Sequence, residues 1–253
     1  MKQKDSIRLS IVIPALNEEG RLPSTLESIR AYLEKNEDLL PAEIIVVDDG
    51  SVDQTADLVR ACGAGGGVEY CCRQHEKTLG KGAAIGTGFR SSRGELVLIS
   101  DADLSAPIDQ LEILLEAFSA DRVVIASRAV DRSLIFNPQP LYRDLMGRGF
   151  NLMVRTLLLP GIKDTQCGFK LFPGELARAL AGAQRVGGFA WDVEYLFLAK
   201  SWGFEIRELG ARWAHVEASR VLPGRHSLQM FRDVLKLSLW RALGDFPPRP
   251  EGL

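Results

Sequence analysis

Short apolar runs alternate with stretches of helical periodicity through the first half of the chain. Five runs have the length and β-branched composition of buried strands. They lie at residues 9–13, 44–47, 68–72, 96–99 and 123–126. Between them, apolar residues recur every three to four positions, which predicts helices at 21–35, 53–62, 81–92 and 108–118. This alternation predicts an α/β fold with a mostly parallel central sheet flanked by helices.

The second half is less regular and mainly helical. Helical patterns cover residues 141–159, 174–183, 191–203 and 227–243, and residues 206–213 form a plausible later strand. The last helix is amphipathic. Its apolar residues are Leu228, Phe231, Val234, Leu235 and Trp240, and its charges include Arg232, Lys236 and Arg241. Such a basic helix could lie in a membrane interface, or it could pack against the sheet.

Composition indicates an ordinary globular chain with an uneven charge distribution. The 253 residues are 46% hydrophobic, which suits one large domain. Residues 1–127 carry 13 Lys/Arg against 21 Asp/Glu, whereas residues 128–253 carry 18 against 12. The acidic half could hold a metal, and the basic half that follows it could meet an anionic substrate or a membrane. The alternative is that the charges are simply distributed unevenly over solvent-exposed faces.

Cysteine and apolar spacing exclude several classes. The four cysteines include the adjacent pair Cys71 and Cys72 and no Cys-x-x-Cys motif, so neither a disulfide framework nor a zinc ribbon is supported. Reduced thiols in a cytoplasm are the expectation. No uncharged stretch approaches the roughly 20 residues of a membrane span, which predicts a soluble or peripherally attached protein.

The strongest chemical signal is Asp101-Ala102-Asp103, directly after the apolar run 96–99. Paired carboxylates at a strand end suit Mg²⁺ or Mn²⁺, although Asp-x-Asp is also common in turns. A metal there could bridge to a nucleotide diphosphate. Ligands of parallel sheets bind beyond the carboxyl ends of the strands, where this triplet falls.

Other polar groups follow the first two predicted strands. Residues 14–19 (PALNEE) and 48–51 (DDGS) could wrap a base and ribose, although Asn17 or Glu18 could simply cap the next helix. Lys81, between two glycines at a predicted helix start, could meet a diphosphate. Neither a P-loop nor a G-x-G-x-x-G fingerprint is present, which argues against hydride transfer.

Basic and polar residues with no obvious packing role follow the fifth strand. They are Arg128, Arg132, Arg143 and Arg148. A fork of arginines could receive a phosphate, and solvated helix charges are the alternative. The segment 164–170 (DTQCGFK) is a polar cluster that propensity does not explain, and Asp192 opens a helix as a cap or as a carboxylate that faces the site.

Together these segments resemble the inverting family 2 glycosyltransferases of the GT-A fold, and within them the dolichyl-phosphate (polyprenyl-phosphate) β-glucosyltransferases. The superfamily is indicated by SIVIPALNEE (10–19), IIVVDDGS (44–51), GKG (80–82) and DAD (101–103). The branch is indicated by IKDTQCGFKLF (162–172), FAWDVE (189–194), VEAS (216–219) and LQM (228–230). The resemblance implies one GT-A domain at 1–243, followed by a tail at 244–253. A Rossmann-like nucleotide-sugar half at about 8–127 would precede a helical acceptor and membrane-facing half at about 128–243.

The resemblance further implies transfer of a hexose, foremost glucose from UDP-glucose, to a polyprenyl monophosphate. The residues expected to bind the nucleotide sugar are Pro14, Ala15, Asn17, Glu18, Asp48, Asp49, Lys81, Asp101, Ala102 and Asp103. Asp101 and Asp103 would bind Mg²⁺ or Mn²⁺. Asp103, Arg128, Arg143 and Arg148 would serve catalysis, the arginines by holding the acceptor phosphate. Asp192 would be a base if the acceptor is a hydroxyl, and Asp164, Gln166 and Lys170 would lie on the acceptor side.

Two departures from the family pattern shape the remaining expectations. Eukaryotic members carry an N-terminal membrane anchor, whereas this chain starts almost at its first strand, so membrane contact would come from helix 227–243. A cytoplasmic enzyme, peripheral at the membrane and using undecaprenyl phosphate, is expected by analogy, with no nucleic-acid partner. Residues 104–107 offer no third acid, so one carboxylate, diphosphate and water could dominate metal coordination. Alternatives are GDP-mannose as donor, a soluble hydroxyl acceptor, or a non-catalytic nucleotide-sugar-binding module.

Overall fold

The computed structural model describes residues 6–215 and 225–253, with only the backbone of 225–227, and its centre is a seven-stranded sheet. The strand order is β3-β2-β1-β4-β7-β5-β8. The strands are β1 Leu9–Ala15, β2 Ala42–Asp48, β3 Val68–Gln74, β4 Leu96–Ile99, β5 Arg122–Ser127, β7 Lys170–Pro173 and β8 Glu205–Gly210. Two short strands, β6 Ile135–Asn137 and β9 Trp213–Ala214, form a second sheet.

Helices cover both faces of the large sheet, as predicted. They are α1 Leu22–Lys35, α2 Thr55–Arg60, α3 Lys81–Ser91, α4 Leu111–Glu116, α5 Leu141–Leu157, α6 Gly174–Ala183, α7 Trp191–Ser201 and α8 Arg225–Leu243. Alternate strand residues serve opposite cores because strand side chains alternate between faces. Val12 and Ile99 pack in the core that includes residues of α3, α6 and α7, whereas Ile11 and Leu98 pack in the core that includes residues of α1 and α4.

Strand β7 is the main feature that the hydrophobic pattern did not predict. It lies between β4 and β5 and is antiparallel to both, while the other pairings of the large sheet are parallel. Its direction brings the segment that precedes it, residues 164–169, to the edge where β1, β2, β4 and β5 end. One reversed strand therefore adds a polar loop to the ligand-binding edge of a parallel sheet.

Helices α5 and α8 pack beside that edge. The rings of Phe150 and Phe231 meet edge to face at 5.9 Å, and Arg241 Nη1 donates to the Leu157 carbonyl at 2.5 Å. The helix predicted at 227–243 is thus confirmed, whereas the VEAS segment at 216–219 lies outside the described residues. Within 6–215 and 225–253, no helix has the length and apolar character needed to cross a bilayer.

The segment expected as a tail, residues 244–253, packs against α7. Phe246 lies 4.4 Å from Phe197 between ring centroids, and Trp202 Nε1 donates to the Pro247 carbonyl at 3.0 Å. The last residues thereby cover the end of α7.

Candidate functional site

A cavity of about 740 Å³ opens at the carboxyl edge of the sheet. The ends of β1, β2, β4 and β5 form its floor, and α5 and α8 form one wall. Of the residues predicted from sequence, those that line the cavity are Pro14, Ala15, Glu18, Asp49, Lys81, Asp101, Ala102, Asp103, Arg128, Arg143 and Gln166. Those that do not line it are Asn17, Asp48, Arg148, Asp164, Lys170 and Asp192.

Asp101 is paired with Lys81 and occupies the space beside Gly168 that a side chain there would fill. Lys81 Nζ donates to Asp101 Oδ1 at 2.6 Å. Burial disfavours the ammonium charge, but Asp101, helped by Asp103 and Asp192, raises the pKa of Lys81 above its ordinary value. A Cβ on Gly168 would lie 2.5 Å from Cγ of Asp101, so only glycine leaves room for this carboxylate. Gly168 is a site residue that the sequence analysis did not single out.

Asp103 follows Asp101 on a turn that places both carboxylates in the cavity. Asp103 Oδ1 accepts a hydrogen bond from the Ser105 amide at 2.9 Å. Leu104, between Asp103 and Ser105, has a left-handed φ of 47°. In the described part of the chain, no group of three or more His, Cys, Asp or Glu side chains could hold a metal. A pair of carboxylates nonetheless fits Mg²⁺ chemistry, because that ion is usually bound by one or two carboxylates together with substrate phosphates.

The turn after β1 is tied to the turn after β2. Asn17 has a φ of 54°, its Oδ1 accepts from the Val52 amide at 2.9 Å, and its own amide donates to Ser51 Oγ at 2.8 Å. The buried Glu18 carboxylate accepts two hydrogen bonds from Arg21, each 2.8 Å long. Glu18 therefore lines the cavity as half of an ion pair, while Asn17 shapes the turn behind it.

The adjacent acids Asp48 and Asp49 have different surroundings. Asp48 is completely buried, and its carboxylate accepts from Ser51 and from Gln74 Nε2, so it holds the turn rather than facing the cavity. Asp49 lines the cavity and accepts from the amides of Leu79 and Gly80 at 2.9 and 2.8 Å. Asp49 thus fixes the loop that leads into α3.

His75 lies behind Asp49, and the start of α3 lines this side of the cavity. His75 Nδ1 donates to Asp49 Oδ1 at 2.7 Å, and its Nε2 lies 3.0 Å from Thr87 Oγ1. At the helix start, the Ala83 amide already donates to the Gly187 carbonyl at 3.0 Å. The Ala83 amide is therefore not open to a ligand, whereas Lys81 brings a positive charge to the cavity.

Arg128 is locked against Asp164 by a two-pronged ion pair. Its Nε and Nη2 donate to the two carboxylate oxygens at 2.7 and 2.9 Å, and its guanidinium lies 5.4 Å from the centre of the Trp213 ring. Burial disfavours both charges, yet each partner supports the other, so the pKa of Asp164 is lowered and that of Arg128 raised. Asp164 therefore acts through Arg128, whose cavity-facing orientation it fixes.

The two arginines predicted on α5 lie in different environments. Arg143 lines the cavity. Arg148 is 59% exposed, and its Nη2 lies 2.8 Å from Asp144 Oδ2, in an ion pair outside the cavity. The structure thus brings Arg128 and Arg143 together with the carboxylate pair but leaves Arg148 on the surface.

Asp192 and Lys170 are buried outside the cavity lining. Asp192 is 3% exposed and Lys170 is fully buried, with its ammonium donating to the Cys167 carbonyl and lying 5.2 Å from the Trp191 ring centre. Burial raises the pKa of Asp192 to about 6, although Lys170 opposes that rise. Burial likewise lowers the pKa of Lys170 against the pull of Asp192.

The wall formed by α5 and α8 contains apolar residues that the sequence analysis did not assign to the site. Gln166 from the loop before β7 lines the cavity, and its Nε2 lies 3.9 Å from Met230 Sδ. Phe150, Met230 and Phe231 give this wall an apolar character next to Arg143. The LQM segment at 228–230, which indicated the family branch in the sequence, contributes Gln229 and Met230 to this wall.

Comparisons with known proteins identify the family of this chain. The family described as "Glycosyl transferase family 2" matches residues 10–180. A dolichyl-phosphate beta-glucosyltransferase of Homo sapiens is 37% identical over 92% of this chain and 75% of its own length. The enzyme of the same name from Saccharomyces cerevisiae is 30% identical over 95% of this chain and 77% of its own length.

A solved structure supports the fold. Glucosyl-3-phosphoglycerate synthase from Mycobacterium tuberculosis, in complex with UDP, superposes with a TM-score of 0.64 at 22% identity and covers 91% of this chain and 80% of its own. The predicted GT-A architecture is thereby confirmed. The chain is a glycosyltransferase that belongs to family 2 and, within it, to the dolichyl-phosphate β-glucosyltransferases.

Proposed function

We propose that this enzyme transfers glucose from UDP-glucose to a polyprenyl monophosphate with inversion at the anomeric carbon. The observation that carries this proposal is a single cavity in which a carboxylate pair, Asp101 and Asp103, faces the same space as Arg128 and Arg143. The relatives are named for glucosyl transfer to dolichyl phosphate. Dolichyl and undecaprenyl phosphate present the same reacting group, so either lipid satisfies the proposed chemistry.

The donor side is formed by the first half of the domain, residues 8–127. Asp49, Glu18 and Pro14 line the part of the cavity for the nucleotide, and Lys81 lies beside Asp101 where the diphosphate would be held. The related mycobacterial synthase has been crystallised with Mn²⁺ and UDP-glucose. Asp101 and Asp103 would hold Mg²⁺ or Mn²⁺ here, and the ion would neutralise charge on the departing UDP.

The acceptor side is formed by the second half, residues 128–243. A phosphate monoester has a second pKa near 6 and is anionic at pH 7, so it needs no strong base to attack. One of its oxygens forms the new bond to the anomeric carbon as the bond to the UDP oxygen breaks on the opposite face. Arg128 and Arg143 would hold this phosphate by charge-assisted hydrogen bonds. The main catalytic contribution is then positioning and charge stabilisation.

Burial of Asp192 favours a phosphate acceptor over a hydroxyl acceptor. A general base must come within about 2.6–3.2 Å of the proton that it removes. Asp192 does not line the cavity, and its Oδ1 already accepts from the Val193 amide at 2.7 Å. Because a polyprenyl phosphate resides in a membrane, the enzyme is proposed to act peripherally at the cytoplasmic face of a membrane.

A label-transfer assay tests the proposal. Radiolabelled UDP-glucose, polyprenyl phosphate in detergent and Mn²⁺ or Mg²⁺ should give metal-dependent label in the organic phase. Asp103→Asn should lower the rate roughly 100-fold or more, the scale of losing one group that stabilises developing charge. Asp57→Asn is the matched control, because Asp57 is a surface acid paired with Arg60. No lipid label from wild type, with UDP binding intact, would refute the proposed acceptor.

A further inference from the structure

Exposed large apolar side chains are concentrated on α5, α8 and the residue Phe136 before α5. In the described part of the chain, these are Phe136, Leu141, Tyr142, Leu145, Met146, Leu152, Leu228, Phe231, Leu235, Leu239 and Leu243. The other exposed large apolar residues there are Val52, Leu79 and Val130. A patch of this kind on a soluble domain marks an interaction site.

Each helix presents these residues as one stripe. On α8, Leu228, Phe231, Leu235, Leu239 and Leu243 recur every three or four positions, which places them on one helix face. On α5, Leu141, Leu145 and Leu152 are spaced by four and seven positions, one and two turns, which also places them on one helix face. The Phe150–Phe231 contact joins the two helices, so we call their combined exposed apolar surface the α5–α8 face.

The charges around the α5–α8 face are mostly positive. Helix α5 carries Arg143, Arg148 and Arg155 against Asp144. Among its described side chains, helix α8 carries Arg232, Lys236 and Arg241 against Asp233. An apolar stripe flanked by Lys and Arg is the composition of a helix that lies in a lipid interface with anionic headgroups.

We infer that the α5–α8 face docks the enzyme on the anionic surface of a bilayer and so delivers the lipid acceptor to the site; the second part rests on the proposed function. The same two helices line the cavity through Met146, Phe150, Met230 and Phe231. A polyprenyl chain could therefore stay in the leaflet while its phosphate enters beside Arg143. Residues of both helices take part, which extends the sequence-based expectation beyond α8 alone.

Charge argues against a second copy of this chain as the occupant. A symmetric dimer through the α5–α8 face would bring two surfaces of the same positive sign together, and like charges across an interface are unfavourable. An anionic leaflet instead complements both the apolar stripe and its basic border.

Vesicle sedimentation of the full chain tests the docking. Wild type should bind vesicles of equal parts phosphatidylcholine and phosphatidylglycerol, should bind pure phosphatidylcholine more weakly, and should lose affinity as salt rises. Leu145→Glu/Leu239→Glu should lower partitioning to the anionic vesicles roughly tenfold or more. Both leucines are exposed and do not line the cavity, so the fold, checked by circular dichroism, and UDP binding should be unchanged.

Val52→Glu is the matched control, because Val52 is 94% exposed and apolar but lies after β2. It should bind vesicles like wild type. The inference is overturned if wild type does not bind anionic vesicles, or if the leucine substitutions leave binding unchanged. It is also overturned if light scattering shows a dimer that those substitutions dissociate. Vesicle binding without glucose transfer would instead refute the proposed function and leave the docking intact.

Discussion

At the residue scale, the position of Asp101 depends on the absence of a side chain at Gly168. Gly168 approaches the carboxylate so closely that Gly168→Ala must displace either Asp101 or the loop before β7. Misplacement of a positioning group by about 1 Å can cost 100-fold in rate, so we expect a loss of about that size in glucosyl transfer. Overpacking should also lower the free energy of unfolding by about 1–3 kcal/mol.

The matched control for that substitution is Gly182→Ala. A Cβ at Gly182, in α6, would meet nothing within 4 Å, so alanine there should leave activity unchanged and slightly favour the helix. Label transfer and urea unfolding of the two variants give the comparison. Equal activities in both variants would show that the Gly168 contact does not position Asp101.

Two arginines on one helix offer a second test at this scale. Loss of a charge-assisted hydrogen bond costs about 1.5–3 kcal/mol, so Arg143→Gln should raise the KM for a detergent-soluble polyprenyl phosphate roughly 10–100-fold. Arg148→Gln should change that KM by less than about fivefold, because exposed ion pairs contribute about 0–1 kcal/mol. The readout is KM for the acceptor measured separately from KM for UDP-glucose. Equal effects of the two substitutions would refute the placement of the acceptor phosphate beside Arg143.

At the scale of elements, the sequence predicted the parallel strands of the large sheet but not its reversed strand. The run at 96–99 coincides with β4, because a buried parallel strand is a continuous apolar run. Because the carboxyl ends of parallel strands meet at one edge of the sheet, the sequence also predicted that Pro14, Asp49 and Asp101 lie close together. Strand β7 has four residues and starts with a lysine, so no pattern distinguished it from a loop.

Helical phase explains why one predicted arginine lies outside the cavity. Arg143 and Arg148 are five positions apart, which separates them by about 140° around a helix. Sequence shows that α5 is basic, but only the packing of α5 on its neighbours selects the face toward the cavity. For the same reason, the sequence could not show which of Asp48 and Asp49 faces the cavity, because consecutive residues at a strand end point to opposite sides.

The start of α7 gives a prediction about pH. Burial raises the pKa of Asp192 from 3.8 to about 6, so between those values the folded state binds more protons than the unfolded state. This stabilising contribution is complete below pH 4 and is lost as pH rises to about 6. The loss amounts to about 3 kcal/mol for two pKa units. Relative to wild type, Asp192→Asn should therefore become more stable as pH rises from about 4 to 6, with no further change above.

Urea unfolding of both proteins across this pH range measures the difference in free energy of unfolding. Parallel pH dependences of wild type and Asp192→Asn would show that Asp192 does not titrate in this window. The proposed acceptor leads to a second prediction for Asp192→Asn. The rate at which this variant transfers glucose to polyprenyl phosphate should stay within about tenfold of the wild-type rate, because the phosphate needs no protein base.

At the scale of the whole molecule, the acidic and basic halves of the sequence meet at one cavity. Asp49, Asp101 and Asp103 reach it from the first half, and Arg128 and Arg143 reach it from the second. A nucleotide diphosphate and a lipid phosphate are both anionic, so the acidic side suits the donor only if a cation accompanies it. The arrangement therefore predicts that nucleotide binding and metal binding are coupled.

Thermal unfolding measures this coupling without any transfer reaction. A ligand at 100 times its Kd stabilises the folded state by about 2.7 kcal/mol, which for a chain of this size raises Tm by roughly 5–10 °C. We expect UDP with Mn²⁺ to give such a shift, UDP with a chelator to give a much smaller one, and Asp103→Asn to remove the difference. Asp57→Asn should behave like wild type, because its carboxylate lies on the surface of α2. If UDP raised the Tm of wild type equally with and without metal, Lys81 and the arginines alone would balance the diphosphate charge. The carboxylate pair would then have no part in donor binding.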